Sequence, residues 1–350
     1  MMKRELAYER ISLGAVDRCY SVLGMEIDGE PCLFYGGDGE GSVQVFRGER
    51  FERREQIWEG GGGTMSIVPF PGREGWTLIS RGFYGMVECA DSSIEIVRYR
   101  NGAFTHEPIA ELPYLHRFDV LTAPDGARYI LAASLHGGKT DVGDWSKPGH
   151  LYAGVIPADV EHSFRVELTR LPGDYYMNHG FCKGEWNGRE AGFISSREGL
   201  FAALPPECTG ADWRVERLMA EPVSDIALCD IDGDGEQEIA ALMPFHGNQF
   251  KILHRDGAAY REVFSHSAGN DLYHAIAAGR IGGERMFAAG AREGAAELFL
   301  VRWDGERGEY RMQLLEAGRG PSNAAFFNSA RCDLLLCANL TASEAAVFRF

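Results

Sequence analysis

Two sets of residues in this chain have types and spacings that could do chemistry. The first is "DIDGDGEQE", Asp230 to Glu238. Asp230, Asp232 and Asp234 put carboxylates at loop positions 1, 3 and 5, Gly235 permits a sharp bend, and Glu236 offers its carbonyl. A hard cation such as Ca2+ takes six to eight oxygens, and this spacing wraps them around one point. An EF-hand would need a Glu where the chain has Ala241, and helices where it has the strand-like flanks "SDIALC" and "IAALM". The ninth residue, Glu238, closes the loop instead. The plain alternative is an acidic hairpin turn. The second set is imidazole: His116, His136, His179, His246 and His274. Imidazole is a common ligand for zinc, manganese, iron and nickel, and three with an open position make a catalytic site. Any one of them alone has a bland explanation as a hydrogen-bonded structural residue.

What positions these residues is a repeat. The unit strand, polar turn, strand recurs in "GMEIDGEPCLFYGG", "IVPFPGREGWTLIS", "VLTAPDGARYILAAS", "FCKGEWNGREAGFISS", "AAGRIGGERMFAAG" and "AFFNSARCDLLLCAN". With the acidic turn that makes seven, marked at Asp28, Gly72, Asp125, Asn187, Asp232, Gly282 and Ala330. Their spacing, from about 44 to about 62 residues, is that of propeller blades. A further hairpin follows most units, with Asn101-Gly102, Asp256-Gly257 and Asp304-Gly305 as turn signals. The expected fold is all-β: a seven-bladed β-propeller of four-stranded blades in a single domain, 1–350. The blades fall at about 18–60, 62–112, 115–173, 176–220, 222–268, 271–317, and 319–350 plus 5–14. The last unit is one strand short, and "AYERISL" near the N-terminus matches the missing strand, so the two are expected to pair and close the ring. A two-sheet sandwich would not need that leftover strand, and no long run has helical periodicity.

In a propeller the first strand of each blade lines the channel, and that topology sorts the residues. The acidic turn joins the first and second strands of blade 5. The histidines fall at the other end, at strand starts (His116, His179, His274) or in the loops after the second strand (His136, His246). The expected transition-metal ligands are His136, His179 and His246, with His274 next. His116, His274, Arg197, Arg292, Tyr84 and Lys139 are the expected catalytic groups. The arginines would hold a carboxylate, and a histidine or tyrosine would take a proton. An insertion in blade 3, "HGGKTDVGDWSKPGHLY", brings Trp145, a surface for stacking a sugar ring, with Tyr176 and Tyr273 as further substrate contacts. That loop has a simpler reading as a cover over the channel.

The D-x-D-G-D-G-x-x-E form of the acidic turn resembles the calcium turn of FG-GAP and VCBS repeat propellers. The plan of histidines at a channel mouth is similar to propeller sugar lyases and dehydratases, the aldos-2-ulose and anhydrofructose dehydratase group and some uronate lyases. The resemblance implies a structural Ca2+ and a divalent metal such as Zn2+ or Mn2+. It also implies β-elimination on a small carbohydrate-like substrate: a sugar, keto-sugar or uronate. A metal-dependent hydrolase or isomerase, and a non-catalytic glycan- or protein-binding propeller, stay open beside it. The net charge of −16 argues against nucleic acid and anionic membranes as partners. No apolar run is long enough to span a bilayer, and "MMKRELAYERISLG" lacks the apolar core of a secretory signal, so a cytoplasmic location is expected. The eight cysteines form no C-x-x-C pair and read as buried, reduced thiols. Nothing in the sequence speaks to oligomeric state.

Overall fold

The computed structural model describes residues 5–87, 89–257 and 259–350. Among them there is no helix, and the strands form seven four-stranded antiparallel sheets, the blades of a β-propeller. Strand β1 (Glu9–Ala15) comes first. Blade 1 is β2 (Cys19–Ile27), β3 (Glu30–Gly37), β4 (Gln44–Arg47) and β5 (Arg53–Gln56). Blade 2 is β6 (Ile67–Pro69), β7 (Trp76–Arg81), β8 (Ser93–Arg100) and β9 (Ala103–Glu111). Blade 3 is β10 (Leu115–Thr122), β11 (Arg128–Ser134), β12 (Leu151–Val155) and β13 (Thr169–Arg170). Blade 4 is β14 (Gly180–Trp186), β15 (Arg189–Ser196), β16 (Gly199–Leu204) and β17 (Arg214–Met219). Blade 5 is β18 (Asp225–Cys229), β19 (Glu238–Met243), β20 (Gln249–Asp256) and β21 (Ala259–His266). Blade 6 is β22 (Asn270–Ile281), β23 (Glu284–Gly294), β24 (Leu298–Asp304) and β25 (Glu309–Glu316). Blade 7 is β26 (Pro321–Asn328), β27 (Asp333–Asn339) and β28 (Glu344–Arg349), with β1 paired to β28 as its fourth strand.

Each of the seven turn markers lies between the first and second strands of its sheet. The turns explain the register. Asp28-Gly29, Asn101-Gly102, Asn187-Gly188 and Gly282-Gly283 have both central residues at positive φ, the two-residue turn whose twist suits a hairpin. Asp304-Gly305 does not behave this way. Its hairpin closes later, with Gly308 at φ 66 donating to the Asp304 carbonyl.

Two compact units divide the sheets: blades 1, 5, 6 and 7 in one, blades 2, 3 and 4 in the other. Within each, neighbouring blades pack face to face. Leu242, Phe250 and Ile252 of blade 5 meet Tyr273, Phe287 and Phe299 of blade 6. Val68, Leu78 and Ile96 of blade 2 meet Phe118, Val120 and Ile130 of blade 3. A middle strand buried on both faces reads as an unbroken apolar run, which is why β27 is "DLLLCAN" rather than alternating. Blade contact is close enough to demand glycine at Gly279, where a Cβ would lie 2.3 Å from the Phe326 ring. None of the eight cysteines forms a disulfide, but only Cys19, Cys32, Cys89 and Cys337 are buried; Cys208 is exposed and Cys229 half-buried.

Four of the seven inner strands share one irregularity. Pairing slips between Cys19 and Ser21, Leu115 and Arg117, Tyr273 and Ala275, and Pro321 and Asn323. The extra residue in each bulge is Tyr20, His116, His274 or Ser322. A bulge re-aims its side chain out of the ladder, and bulges are frequent beside functional sites.

Candidate functional site

In the unit of blades 2 to 4, the bulge of β10 turns out His116, which is 2% exposed. Its ring lies 4.6 Å from that of His179, centroid to centroid, and 5.5 Å from Phe83. His116 Nδ1 donates to the His179 carbonyl at 3.1 Å, and His179 Nδ1 donates to the Ser224 carbonyl at 3.1 Å. In the unit of blades 1, 5, 6 and 7, His274 repeats the pattern, donating from Nδ1 to the carbonyl of Ser322 at 2.7 Å. A carbonyl only accepts, so each Nδ1 carries a proton, and in the neutral form of each ring the lone pair lies on Nε2. The Tyr20 hydroxyl sits 3.4 Å from His274 Nε2. His246, in the β19–β20 loop, is stacked on Phe245 at 4.0 Å, and its ring is 5.4 Å from that of His274. Two of the three inner-strand bulges in this unit therefore present Tyr20 and His274 together, with His246 alongside.

His136 departs from the ligand role expected of it. It is fully buried between Tyr114 and Trp145, with Nε2 donating to the Met86 carbonyl at 2.8 Å and Nδ1 accepting from the Gly138 amide at 3.0 Å. With both nitrogens engaged, the ring has none left for a metal. Burial pushes its pKa down to about 4. Protonation would also set an Nδ1–H against the Gly138 N–H. The neutral form is the folded form, so the contribution of His136 to stability should be constant above pH 6.5 and fall as pH drops from 6.5 through 4. The loss should reach about 3 kcal/mol. Urea titrations of wild type and His136→Gln across that range check this; an equal acid slope in both would refute it.

Tyr273 also departs from expectation. It is fully buried, its hydroxyl accepts from Asn270 Nδ2 at 3.0 Å, and its ring joins the blade 5–6 core, so no sugar can stack on it. Trp145 has one face covered by the Lys139 ammonium, 3.0 Å from the ring centroid. Lys139 also donates to the Val142 carbonyl, and burial lowers its pKa to about 8. Tyr176 is half-buried beneath Arg197, 4.2 Å from its centroid, and Glu198 lies 3.4 Å from that guanidinium. Arg292 is half-buried at the end of β23, and Tyr84 is half-buried in the loop after β7.

The acidic turn lies at the far end of β18, roughly 17 Å of strand from the His246 loop. Gly233 and Gly235 take φ of 81 and 97, which lets the backbone fold around the carboxylates. Asp230, Asp232 and Asp234 accept the amides of Gly233, Asp234 and Glu236 at 2.7, 3.1 and 2.8 Å. One oxygen from each lies within 4.8 Å of the others, as do Asp232, Glu238 and a nitrogen of His254. This oxygen-rich set fits a hard cation. Glu236 is exposed, whereas Glu238 is fully buried, accepting from the Ile231 amide at 3.0 Å and bonded to His254 Nδ1 at 2.7 Å. Burial pushes the Glu238 carboxyl up, and the hydrogen bond to Glu238 raises His254. Arg285 of blade 6 donates to Asp230 Oδ2 at 2.8 Å, placing a fixed positive charge beside the turn.

Tyr20, Ser322, His254 and Arg285 were not among the residues singled out from the sequence. His254 alone had a signal: the β19–β20 register sets Ile239 opposite Leu253, and so Glu238 opposite His254. The other three come from neighbouring blades.

No protein-family model and no curated protein matches the chain. Solved structures do match. One is a crystal structure of an ancestral GH74 enzyme, with a TM-score of 0.57 over 93% of this chain at 12% identity. The chain covers 50% of that enzyme's length. At that identity the likeness is one of fold, and the propeller is what it supports.

Proposed function

We propose that this protein is a carbohydrate-active propeller enzyme that performs metal-assisted β-elimination on a sugar, keto-sugar or uronate. The observation that carries the reading is the bulged inner-strand imidazole tied through Nδ1 to a backbone carbonyl. Metal-ligating histidines are held in that way, because the second-shell acceptor fixes tautomer and ring orientation. In one unit His246 and His274 are the proposed ligands, with His274 taking the place given to His136; in the other, His179 has the ligand tautomer and is proposed in the same role. A divalent ion such as Zn2+ or Mn2+ would supply Lewis acidity toward the oxygen next to the departing proton. The chain's own groups do the rest. His116, with its lone pair on Nε2, is the proposed base. Arg292 and Arg197 are the proposed partners of a substrate carboxylate, which also offset the acidity of the chain. At the acidic turn we propose a structural Ca2+, in keeping with its FG-GAP-like form.

A second reading, glycan hydrolysis, is favoured by the likeness to a GH74 enzyme. One experiment separates the two. Protein purified without chelator or nickel resin is analysed for metals and incubated with uronate and keto-sugar substrates. Elimination gives a conjugated product with new ultraviolet absorbance, whereas hydrolysis gives reducing ends without it. Calcium as the sole metal, with no absorbance change, would overturn the proposed lyase.

A further inference from the structure

A second site lies in the unit of blades 1, 5, 6 and 7, away from the histidines. A cavity of about 480 Å3 opens between blades 1 and 7. Its walls are the start of β3, the β4–β5 turn, the β26–β27 turn and the end of β28. Two guanidiniums line it, Arg331 and Arg349. No carboxylate pairs with either among the described residues, on a chain whose net charge is −16. Two carboxylates also line it: Glu30, already shared between Arg47, 3.5 Å away, and Arg53, and the exposed Glu49, which pairs with neither guanidinium of the cavity.

Arg349 is held in place. Its guanidinium lies over the Phe51 ring, 5.3 Å from the centroid, and one Nη donates to the Glu49 carbonyl at 2.7 Å. Phe51 itself is 3% exposed and sits at φ 60, a conformation a bulky side chain rarely adopts. A turn bond from its amide to the Gly48 carbonyl at 3.1 Å and the blade 1–7 core around its ring hold it there. Strain of this kind persists where the surroundings over-determine it, often at ligand clamps. Here its effect is a fixed platform under one arginine, with a second arginine on the facing turn.

We propose that this cavity binds a small oxyanion, a carboxylate- or phosphate-bearing metabolite, with Arg331 and Arg349 as its two guanidinium partners. Planar guanidinium forks match the oxygens of both groups, and two of them free of protein carboxylates leave their charge to a ligand. The half-buried Cys332 thiol lines the same cavity and serves as a reporter.

The test is calorimetric titration of the full chain with inorganic phosphate, with gluconate, and with uncharged sorbitol, alongside alkylation of Cys332 followed by mass spectrometry. Phosphate or gluconate should bind saturably and slow Cys332 alkylation; sorbitol should do neither. Phosphate binding alone, or gluconate binding alone, assigns the anion class. Arg331→Ala should weaken binding at least tenfold with an unchanged unfolding midpoint, since Arg331 is exposed. Arg349→Lys keeps a charge over Phe51 but loses the fork and should also weaken binding. Equal binding in Arg331→Ala, or no saturable binding of either anion, overturns the proposal. Neither result bears on the histidine chemistry.

Discussion

Replacing Glu238 with alanine should lower the free energy of unfolding by about 3 kcal/mol. The carboxylate is fully buried and holds the Ile231 amide and the His254 ring. Alanine leaves a buried amide without an acceptor, which costs about 1–3 kcal/mol, and strips His254 of its partner. Asp232→Ala should behave differently, because Asp232 accepts an amide within the half-exposed turn. In chelator it should lose under about 1 kcal/mol. Calcium at a hundred times its dissociation constant should then stabilise wild type by about 2.7 kcal/mol and leave Asp232→Ala unmoved. Denaturant titrations with and without calcium read both effects. An equal calcium response in the two proteins would remove the ion from the turn. Asp232→Ala should keep its turnover, since the turn is at the opposite end of β18 from the His246 loop.

His274→Ala should abolish bound transition metal and reduce turnover at least hundredfold, in line with loss of a metal ligand. The ring is 1% exposed and its Nδ1 satisfies the Ser322 carbonyl, so alanine also costs roughly 2 kcal/mol of stability. His274→Gln separates the two effects: its amide can still donate to Ser322, while the imidazole is gone. Turnover lost in both variants with stability recovered in the glutamine form is the expected result. Full metal content in His274→Gln would sink the ligand assignment and leave the histidine a staple between blades.

The repeat was legible because turns are local. Asn187-Gly188 and Gly282-Gly283 need only their own backbone freedom to set a register, and the acidic turn carries its ligand spacing within nine residues. Asp304-Gly305 misled because the pair looks like a two-residue turn, and the chain instead reverses over a longer loop ending at Gly308. The site was legible only as positions. His116, His179 and His274 could be placed at strand starts, but the bulges that turn His116 and His274 out are slips of pairing with a second strand. His136 shares its topological level with His246, yet its fate was decided by Met86, 50 residues away. Tyr273 could be placed beside His274 at a strand start, but the facing blade buries it. Arg285 reaches Asp230 across 55 residues and a blade boundary, which no local pattern records.

The hydrogen bonds from imidazole Nδ1 to the next strand's carbonyl have a mechanical side. Any group that draws electron density from Nε2 of His274 makes its Nδ1–H a stronger donor, and so tightens the seam to β26 at Ser322. His179 donates in the same way to Ser224, within its own unit. Occupancy should therefore register as slower amide hydrogen exchange in the backbone around Ser224 and Ser322. A ligand at this end would act as a fastener between neighbouring sheets, felt in backbone that it never touches.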